Sequence, residues 1–209
     1  MRTTLLLALP VALLAACSAP DSSRNEEAPT TTAPPAPVAV EPLDTAGASQ
    51  VDAHSDTLKT VRRRHVFSSP GTPDLFTLQL RGPSVLEGEA TFTITDHAGQ
   101  VIFREALPAA DLEAALVYEL KTPSATPAQR EAFIRRRMDS FFADQNFHRP
   151  AISPGEAYRN GELERPTWDD LKQRADAVSF EYLVGKEERR RIAWSPLKKQ
   201  VVRLGSFGG

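Results

Sequence analysis

Apolar and polar residues alternate over several short stretches of the chain that follows residue 56. Residues 74–81 place an apolar side chain at every second position, and residues 89–95 repeat this pattern with threonines between the apolar positions. Because successive side chains of a strand point to opposite faces, both stretches are predicted to be half-buried antiparallel strands. The turn sequence Asp96-His97-Ala98-Gly99 predicts that residues 100–105 return as the second arm of a hairpin.

In the middle of this region, the spacing of the apolar residues changes to that of a helix. Leucines spaced four residues apart predict a helix over residues 108–120. A second helix is predicted from Thr126, because Thr126-Pro127-Ala128-Gln129 has the form of a capping box with proline at the first helical position. That helix should end near Asn146, and a short third helix is predicted from Thr167. The apolar stripe of the second helix would consist of Phe133, Ile134, Met138, Phe141 and Phe142.

Strand-like alternation returns in the last third of the chain. It covers residues 178–184, 189–195 and 199–204, with turns predicted at residues 185–188 and at Pro196. Three strands, two or three helices and three further strands predict an α+β fold. We expect one antiparallel sheet of about six strands, with the helices packed on one of its faces. The order does not support the alternating βαβ units of a doubly wound nucleotide-binding fold.

The part of the chain before residue 57 has a different composition. Residues 17–56 are rich in proline, threonine and alanine and contain no aromatic residue. Such a segment cannot bury enough apolar area to offset the entropy lost on ordering it, so a disordered linker is predicted there. Residues 57–209 are then expected to form a single domain.

The first 16 residues combine one arginine with an apolar run over residues 5–14. As a helix this run would be about 15 Å long, too short for a hydrocarbon core of about 30 Å. It is followed by Leu14-Ala15-Ala16-Cys17, which resembles the lipobox read by the lipoprotein signal peptidase of bacteria. The resemblance implies that residues 1–16 are a signal peptide and that Cys17 is acylated, which would place the protein on a membrane by its lipid.

Cys17 is the single cysteine of the chain. This suits a protein exported to an oxidising compartment, where an unpaired thiol is a liability, and it excludes an intramolecular disulfide. Ser18 follows Cys17, and in proteobacterial lipoproteins a residue other than aspartate at this position directs the protein to the outer membrane. The resemblance therefore implies the outer membrane in a Gram-negative source, and leaves open which face it occupies. A Gram-positive source also stays open, where the destination would be the cytoplasmic membrane.

Charge excludes one class of function. The formal net charge is −2 and the pI is about 6.1, whereas dedicated nucleic-acid-binding domains are strongly basic. The predicted linker is acidic, and residues 61–209 carry 22 basic and 20 acidic residues. We expect a monomer without nucleic acid as a partner.

No motif of a known catalytic or cofactor site occurs in the sequence: it has no GxSxG, HExxH, Walker A, GxGxxG or EF-hand pattern. No cofactor or metal is expected. Asp144 and His148 are four residues apart and would share one face of a helix, as metal ligands can. Pro150 favours the alternative that the helix has ended by His148 and that this histidine is exposed.

The C-terminal residues form the candidate binding patch. Two interpretations stay open: basic side chains protect strand edges from unwanted pairing, or they bind an anionic envelope polymer, lipid head groups or an acidic protein. Alternation places Arg190 on the face opposite to its two neighbours, so the cluster cannot form one patch. The candidate residues are Arg189, Arg191, Lys198, Lys199 and Arg203.

The leading hypothesis is a non-catalytic interaction module for an envelope protein or an anionic envelope polymer, and the alternative is an envelope hydrolase. A flat sheet face with exposed aromatic residues would favour the module. The hydrolase would be favoured by a deep pocket that holds two or more of His148, Asp144, Asp169, Glu156 and Ser153.

Overall fold

A computed structural model describes residues 51–207, with the exception of residues 53, 121–123 and 162. The described chain is an α+β fold with two four-stranded antiparallel sheets and three α-helices. The predicted signal peptide, Cys17 and the predicted linker up to residue 50 lie outside the described residues.

The first sheet is a meander in chain order. Its strands are β1 (Thr57–Ser69), β2 (Thr72–Arg81), β3 (Glu89–Thr95) and β4 (Val101–Pro108). The sequence predicted β2, β3 and β4 and missed β1. Three consecutive arginines, at positions 62–64, interrupt the apolar alternation of β1. Among the described strands, β1 pairs with β2 alone and lies at the edge of the sheet.

The helical middle section contains α1 (Ala109–Glu113), continued by a 3₁₀ turn, and α2 (Pro127–Ser140). The predicted capping box is confirmed: the Gln129 backbone N–H donates to the Thr126 hydroxyl at 3.3 Å, and the Thr126 N–H donates to Gln129 Oε1 at 2.8 Å. α2 ends six residues before the predicted Asn146, and there the Asn146 side-chain amide donates to the Phe141 carbonyl at 2.9 Å. This contact satisfies a carbonyl that the helix leaves without an intrahelical donor.

The second sheet contains β5 (Phe147–His148), β6 (Ser179–Val184), β7 (Glu188–Ser195) and β8 (Gln200–Phe207). The prediction of one sheet is therefore wrong, since the N-terminal and C-terminal strands do not hydrogen-bond to each other within the described residues. Alternation along a strand indicates which face is buried but not which strand is the neighbour, so it could not separate one sheet from two.

The two sheets pack face to face around an aromatic core. Phe180 of β6 lies with its ring centroid 5.5 Å from that of Phe76 and 5.5 Å from that of Phe92. Phe141 and Phe142, at the end of α2, complete this core and are 5% and 4% exposed. The burial of the predicted stripe of α2 is thus confirmed.

The opposite face of the second sheet is covered by α3 (Arg165–Gln173) and the segment before it. α3 begins two residues earlier than predicted, because Pro166 is compatible with the first helical turn. Trp168 and Leu171 of α3 pack with Ala193 and Leu204 of the sheet. The second sheet is thus buried on both faces, whereas the outer face of the first sheet presents exposed side chains such as Arg62 and Arg104.

Candidate functional site

The predicted basic residues are spread over different environments. Arg191 is largely buried, and Lys199 sits in the turn before β8 with a φ of 53° and without an ion-pair partner among the described residues. The positive charge of the other residues is compensated locally. Their carboxylate partners are Glu181 for Arg189, Glu156 for Arg191, Glu164 for Lys198 and Glu105 for Arg203.

The candidate catalytic and metal-ligating residues do not converge. Asp144 forms an ion pair with Arg63, whereas His148 Nε2 lies 3.9 Å from a carboxylate oxygen of Glu181. Asp169 pairs with Arg165 one turn earlier in α3. Across the described ranges, no group of three or more His, Cys, Asp or Glu side chains could hold a metal ion.

Glu156 is the exception, because it lines a cleft. We name this cavity the Trp168 cleft; it has a volume of about 540 Å³ and lies between residues 155–161, α3 and the strands β7 and β8. That volume is in the range of small-molecule sites, about 300–1,000 Å³. Apolar and polar groups are both present in its lining. The lining residues are Gly155, Glu156, Ala157, Arg159, Asn160, Gly161, Leu163, Trp168, Arg191, Leu204 and Gly205.

An ion pair forms the polar wall of the Trp168 cleft. Both terminal nitrogens of Arg191 donate to the carboxylate of Glu156, one of them at 3.2 Å, and the two side chains are only 12% and 24% exposed. Lys172 Nζ donates to the backbone carbonyl of Glu156 at 2.6 Å, so the acidic residue is held from two sides. A partly buried ion pair loses hydration of both charges and is weak evidence for stability. Its effect here is to present preoriented donors and acceptors.

A β-bulge opens the cleft on the side of the sheet. Arg191 pairs with Gly205 and Ile192 pairs with Arg203, so Leu204 is the extra residue on β8. Gly205 has a φ of 139°, a conformation that side chains disfavour, and it is one of the residues that line the cleft. Bulges of this kind commonly occur beside binding and active sites.

The loop that borders the cleft is fastened to α3. The Tyr158 ring packs edge-on against Trp168 with centroids 5.8 Å apart, and its hydroxyl donates to the Leu163 carbonyl at 3.0 Å. The guanidinium of Arg165 lies 5.2 Å from the centre of the Tyr158 ring, within the distance of a cation–π contact. These contacts indicate that the cleft is preformed.

A second feature is the outer face of the first sheet. We name it the arginine face and define it by Arg62, Arg64, Arg81 and Arg104, which the strand register places on one side together with a field of threonines. It contains a shallow cavity of about 430 Å³. No aromatic side chain is found among the described residues that line that cavity, so the face differs from the aromatic sheet face expected of a binding module. The cavity is lined by Val51, Asp52, Thr77, Gln79, Arg81, Glu89, Thr91, Thr93, Val101 and Arg104.

Sequence reasoning missed both features for identifiable reasons. The sequence predicted only the short helix that contains Trp168, and the cleft forms where this helix meets a bulge on β8. The arginine face had a signal in the sequence, because Arg62 and Arg64 share one side of any strand through residues 57–69. That signal was lost when β1 was not predicted.

The chain matches no protein-family model, no curated protein and no solved structure. Among the described residues, no helix is both long and apolar enough to cross a bilayer. The function is therefore argued from the geometry of the two surfaces.

Proposed function

We propose that this protein is a lipid-anchored component of the bacterial cell envelope whose domain binds, without catalysis, a saccharide segment of an anionic envelope polymer in the Trp168 cleft. Anchorage is supported by the Leu14-Ala15-Ala16-Cys17 motif behind a short apolar run. The binding role is supported by the geometry of the cleft.

The observation that carries the binding role is the Arg191–Glu156 pair in the wall of a partly apolar cleft. A guanidinium donates hydrogen bonds and a carboxylate accepts them, so the pair can engage neighbouring hydroxyl groups of a sugar in both directions. Trp168 and Leu204 on the apolar side can pack against the C–H face of the ring. This combination of one apolar side and a few placed polar groups is typical of small-ligand sites.

The charge of the lining favours an acidic sugar over a neutral one. Arg159 adds a second guanidinium to the cleft, and Glu156 is the one carboxylate among its described lining residues. The described lining therefore carries an excess positive charge, which suits a carboxylate or phosphate group on the polymer.

The alternative of an envelope hydrolase lacks a supporting observation. Glycoside hydrolases commonly use two carboxyl groups that flank the scissile bond. In the described lining, the carboxylate of Glu156 is engaged by Arg191 and has no second carboxylate opposite to it. This arrangement favours binding of a sugar over its hydrolysis.

Calorimetric titration tests the binding role. The chain from residue 17 onward, carrying Cys17→Ala, would be titrated with hexuronate oligomers of two to four units and with neutral hexose oligomers of equal length. We expect tighter binding of the acidic series. The double substitution Arg159→Ala and Asn160→Ala, at exposed positions, should weaken binding about tenfold or more, since two polar contacts are removed.

A matched control replaces exposed residues away from the cleft, Gln145→Ala and Lys199→Ala, and should leave the affinity within about twofold of the parent. Failure of both series to bind would refute the proposal. Release of shorter oligomers during the titration would refute its non-catalytic part.

Metabolic labelling tests the anchorage separately. The natural precursor should incorporate labelled palmitate, whereas Cys17→Ala should remain unlabelled, uncut and mislocalised. Incorporation of label by the variant would show that the lipobox assignment is incorrect. In a Gram-negative source the labelled protein should fractionate with outer-membrane markers.

A further inference from the structure

Three arginines of the arginine face carry positive charge that the described chain does not neutralise. The side chains of Arg62, Arg64 and Arg104 are exposed and have no hydrogen bond or ion pair within the described residues. This differs from the C-terminal strands, where the arginines of β7 and β8 are paired with carboxylates. The cavity on this face is lined by two carboxylates, Asp52 and Glu89, together with Arg81 and Arg104.

The register spreads this charge over a plane. Arg62 lies opposite Thr77, Thr77 opposite Thr93, and Thr93 opposite Arg104, so the row crosses all four strands. Its two arginines are then about 14 Å apart at the strand spacing, and Arg64 lies about 7 Å along β1 from Arg62. The threonines between them are short, so the longer guanidinium groups can reach beyond the floor of the sheet.

The described chain begins on this same face. Val51 and Asp52, its first two residues, line the cavity with Arg81 and Arg104. The 33 residues at positions 18–50 connect this point with Cys17. If Cys17 carries the lipid, the segment that joins the lipid to the domain reaches the described residues at Val51, on the arginine face.

We propose that the arginine face docks on the anionic lipid head groups of the membrane that holds the anchor. This inference rests on the proposed anchorage for the identity of the membrane. Phosphate groups in a membrane surface form a planar anionic layer, and guanidinium groups bind phosphate with two parallel hydrogen bonds. The Trp168 cleft lies beyond the second sheet, on the side of α3, and would face away from the docked membrane.

Vesicle sedimentation tests the docking without the lipid anchor. The chain from residue 17 onward, carrying Cys17→Ala, retains every described residue and cannot be acylated, so any binding must come from its surface. It would be mixed with vesicles of phosphatidylcholine alone and with vesicles that contain 30% phosphatidylglycerol. We expect binding to the anionic vesicles only, weakening as salt is added, because salt screens exposed charges.

The variant Arg62→Gln/Arg64→Gln/Arg104→Gln should reduce partitioning to anionic vesicles on the order of a hundredfold, since each basic residue near a membrane surface contributes about fivefold. A matched control replaces three basic residues that lie off this face and are exposed: Arg135→Gln/Arg149→Gln/Lys199→Gln. It has the same net charge and should lose no more than about threefold.

Three outcomes would overturn the proposal. Equal losses in the two triple variants would show attraction by net charge alone, and absent or equal binding to both vesicle types would exclude a head-group surface. The third outcome is that vesicle binding emerges only after the acids at positions 21, 26, 27, 41 and 44 are replaced by their amides. This would show that the acidic N-terminal segment, and not the lipid, is the ligand of the arginine face. None of these results depends on acylation. Failure of the docking proposal can therefore be distinguished from failure of the proposed lipid anchorage, which the palmitate experiment tests.

Discussion

Glu105 on β4 of the first sheet accepts a hydrogen bond from the hydroxyl of Tyr182 on β6 of the second sheet. The same carboxylate also accepts hydrogen bonds from Arg190 of β7 and from Arg203 of β8, the latter at 3.1 Å. The Glu105 side chain is only 9% exposed. One acidic residue thus forms a polar connection between two sheets that pack through an aromatic core.

Replacement of this acid should be costly. We expect Glu105→Gln to lower the free energy of unfolding by about 2–4 kcal/mol, because charge-assisted bonds to two arginines are lost in a poorly hydrated site. Urea denaturation followed by circular dichroism measures the change. The control is Glu119→Gln, which breaks the exposed pair with Arg136 and should cost less than about 1 kcal/mol. Equal effects of the two substitutions would show that Glu105 is not a structural connection.

The Tyr182 hydroxyl predicts a loss of stability at alkaline pH. Burial raises the pKa of Tyr182 far above its ordinary value of about 10, and the hydrogen bond to Glu105 adds to the shift. The unfolded chain therefore releases this proton at a lower pH than the folded chain does. The contribution of Tyr182 to stability is fully present below about pH 10 and decreases as the pH rises above that value.

Chemical denaturation at several pH values between 8 and 11 would measure this dependence. Tyr182→Phe has no proton to release, so the decline of its stability above about pH 10 should be shallower than that of the parent chain. Neither of the other two tyrosines is a suitable control. The Tyr158 hydroxyl fastens the cleft, and a hydrogen bond to Glu187 raises the pKa of Tyr118 as well. Parallel curves for the parent and Tyr182→Phe would contradict the assignment.

Phe141 tests the aromatic core. Its ring lies 5.5 Å from that of Phe92 and 5.8 Å from that of Phe180, so it contacts both sheets at once. Phe141→Ala should lower the free energy of unfolding by about 3–5 kcal/mol, because a buried phenylalanine leaves a cavity. Leu197→Ala, at a 57% exposed position, should change it by no more than about 0.5 kcal/mol. A loss below about 1 kcal/mol for Phe141→Ala would mean that the core forms without this ring.

The capping box gives a smaller and more local effect. Thr126→Ala removes the acceptor for the Gln129 backbone N–H and should cost about 1 kcal/mol of stability. Thr126→Ser keeps the hydroxyl and should be nearly neutral by the same denaturation measurement. If the alanine variant matched the serine variant, the N-terminus of α2 would not need its cap.

Several elements could be predicted because their signals are local. Alternation over residues 89–95 locates β3, and the spacing between Thr126 and Gln129 locates the start of α2. Both signals extend over one strand or one helical turn and do not depend on a distant partner. β1 was not predicted, because its three central arginines interrupt the apolar alternation. Its strand character is evident only from its pairing with β2.

The candidate sites were less accessible to prediction. The run at positions 189–191 was correctly expected to divide between two faces of a strand, and Arg190 indeed reaches Glu105 while Arg191 reaches Glu156. Which acids would meet these arginines was not predictable. The partners lie 85 and 35 residues away in the chain, and their approach depends on how the sheets and the loop before α3 pack.

By itself, the sequence determined the α+β class, most of the strands, the capped start of α2 and its buried stripe, because strand alternation, helical periodicity and capping act over a few neighbouring residues. Only the tertiary structure decided that the strands form two sheets, that Glu105 joins them, and that a bulge at Gly205 opens the Trp168 cleft. These features arise from contacts between residues far apart in the chain. The energies of these contacts depend on which two surfaces pack together. A local sequence pattern indicates only whether one surface is apolar or charged.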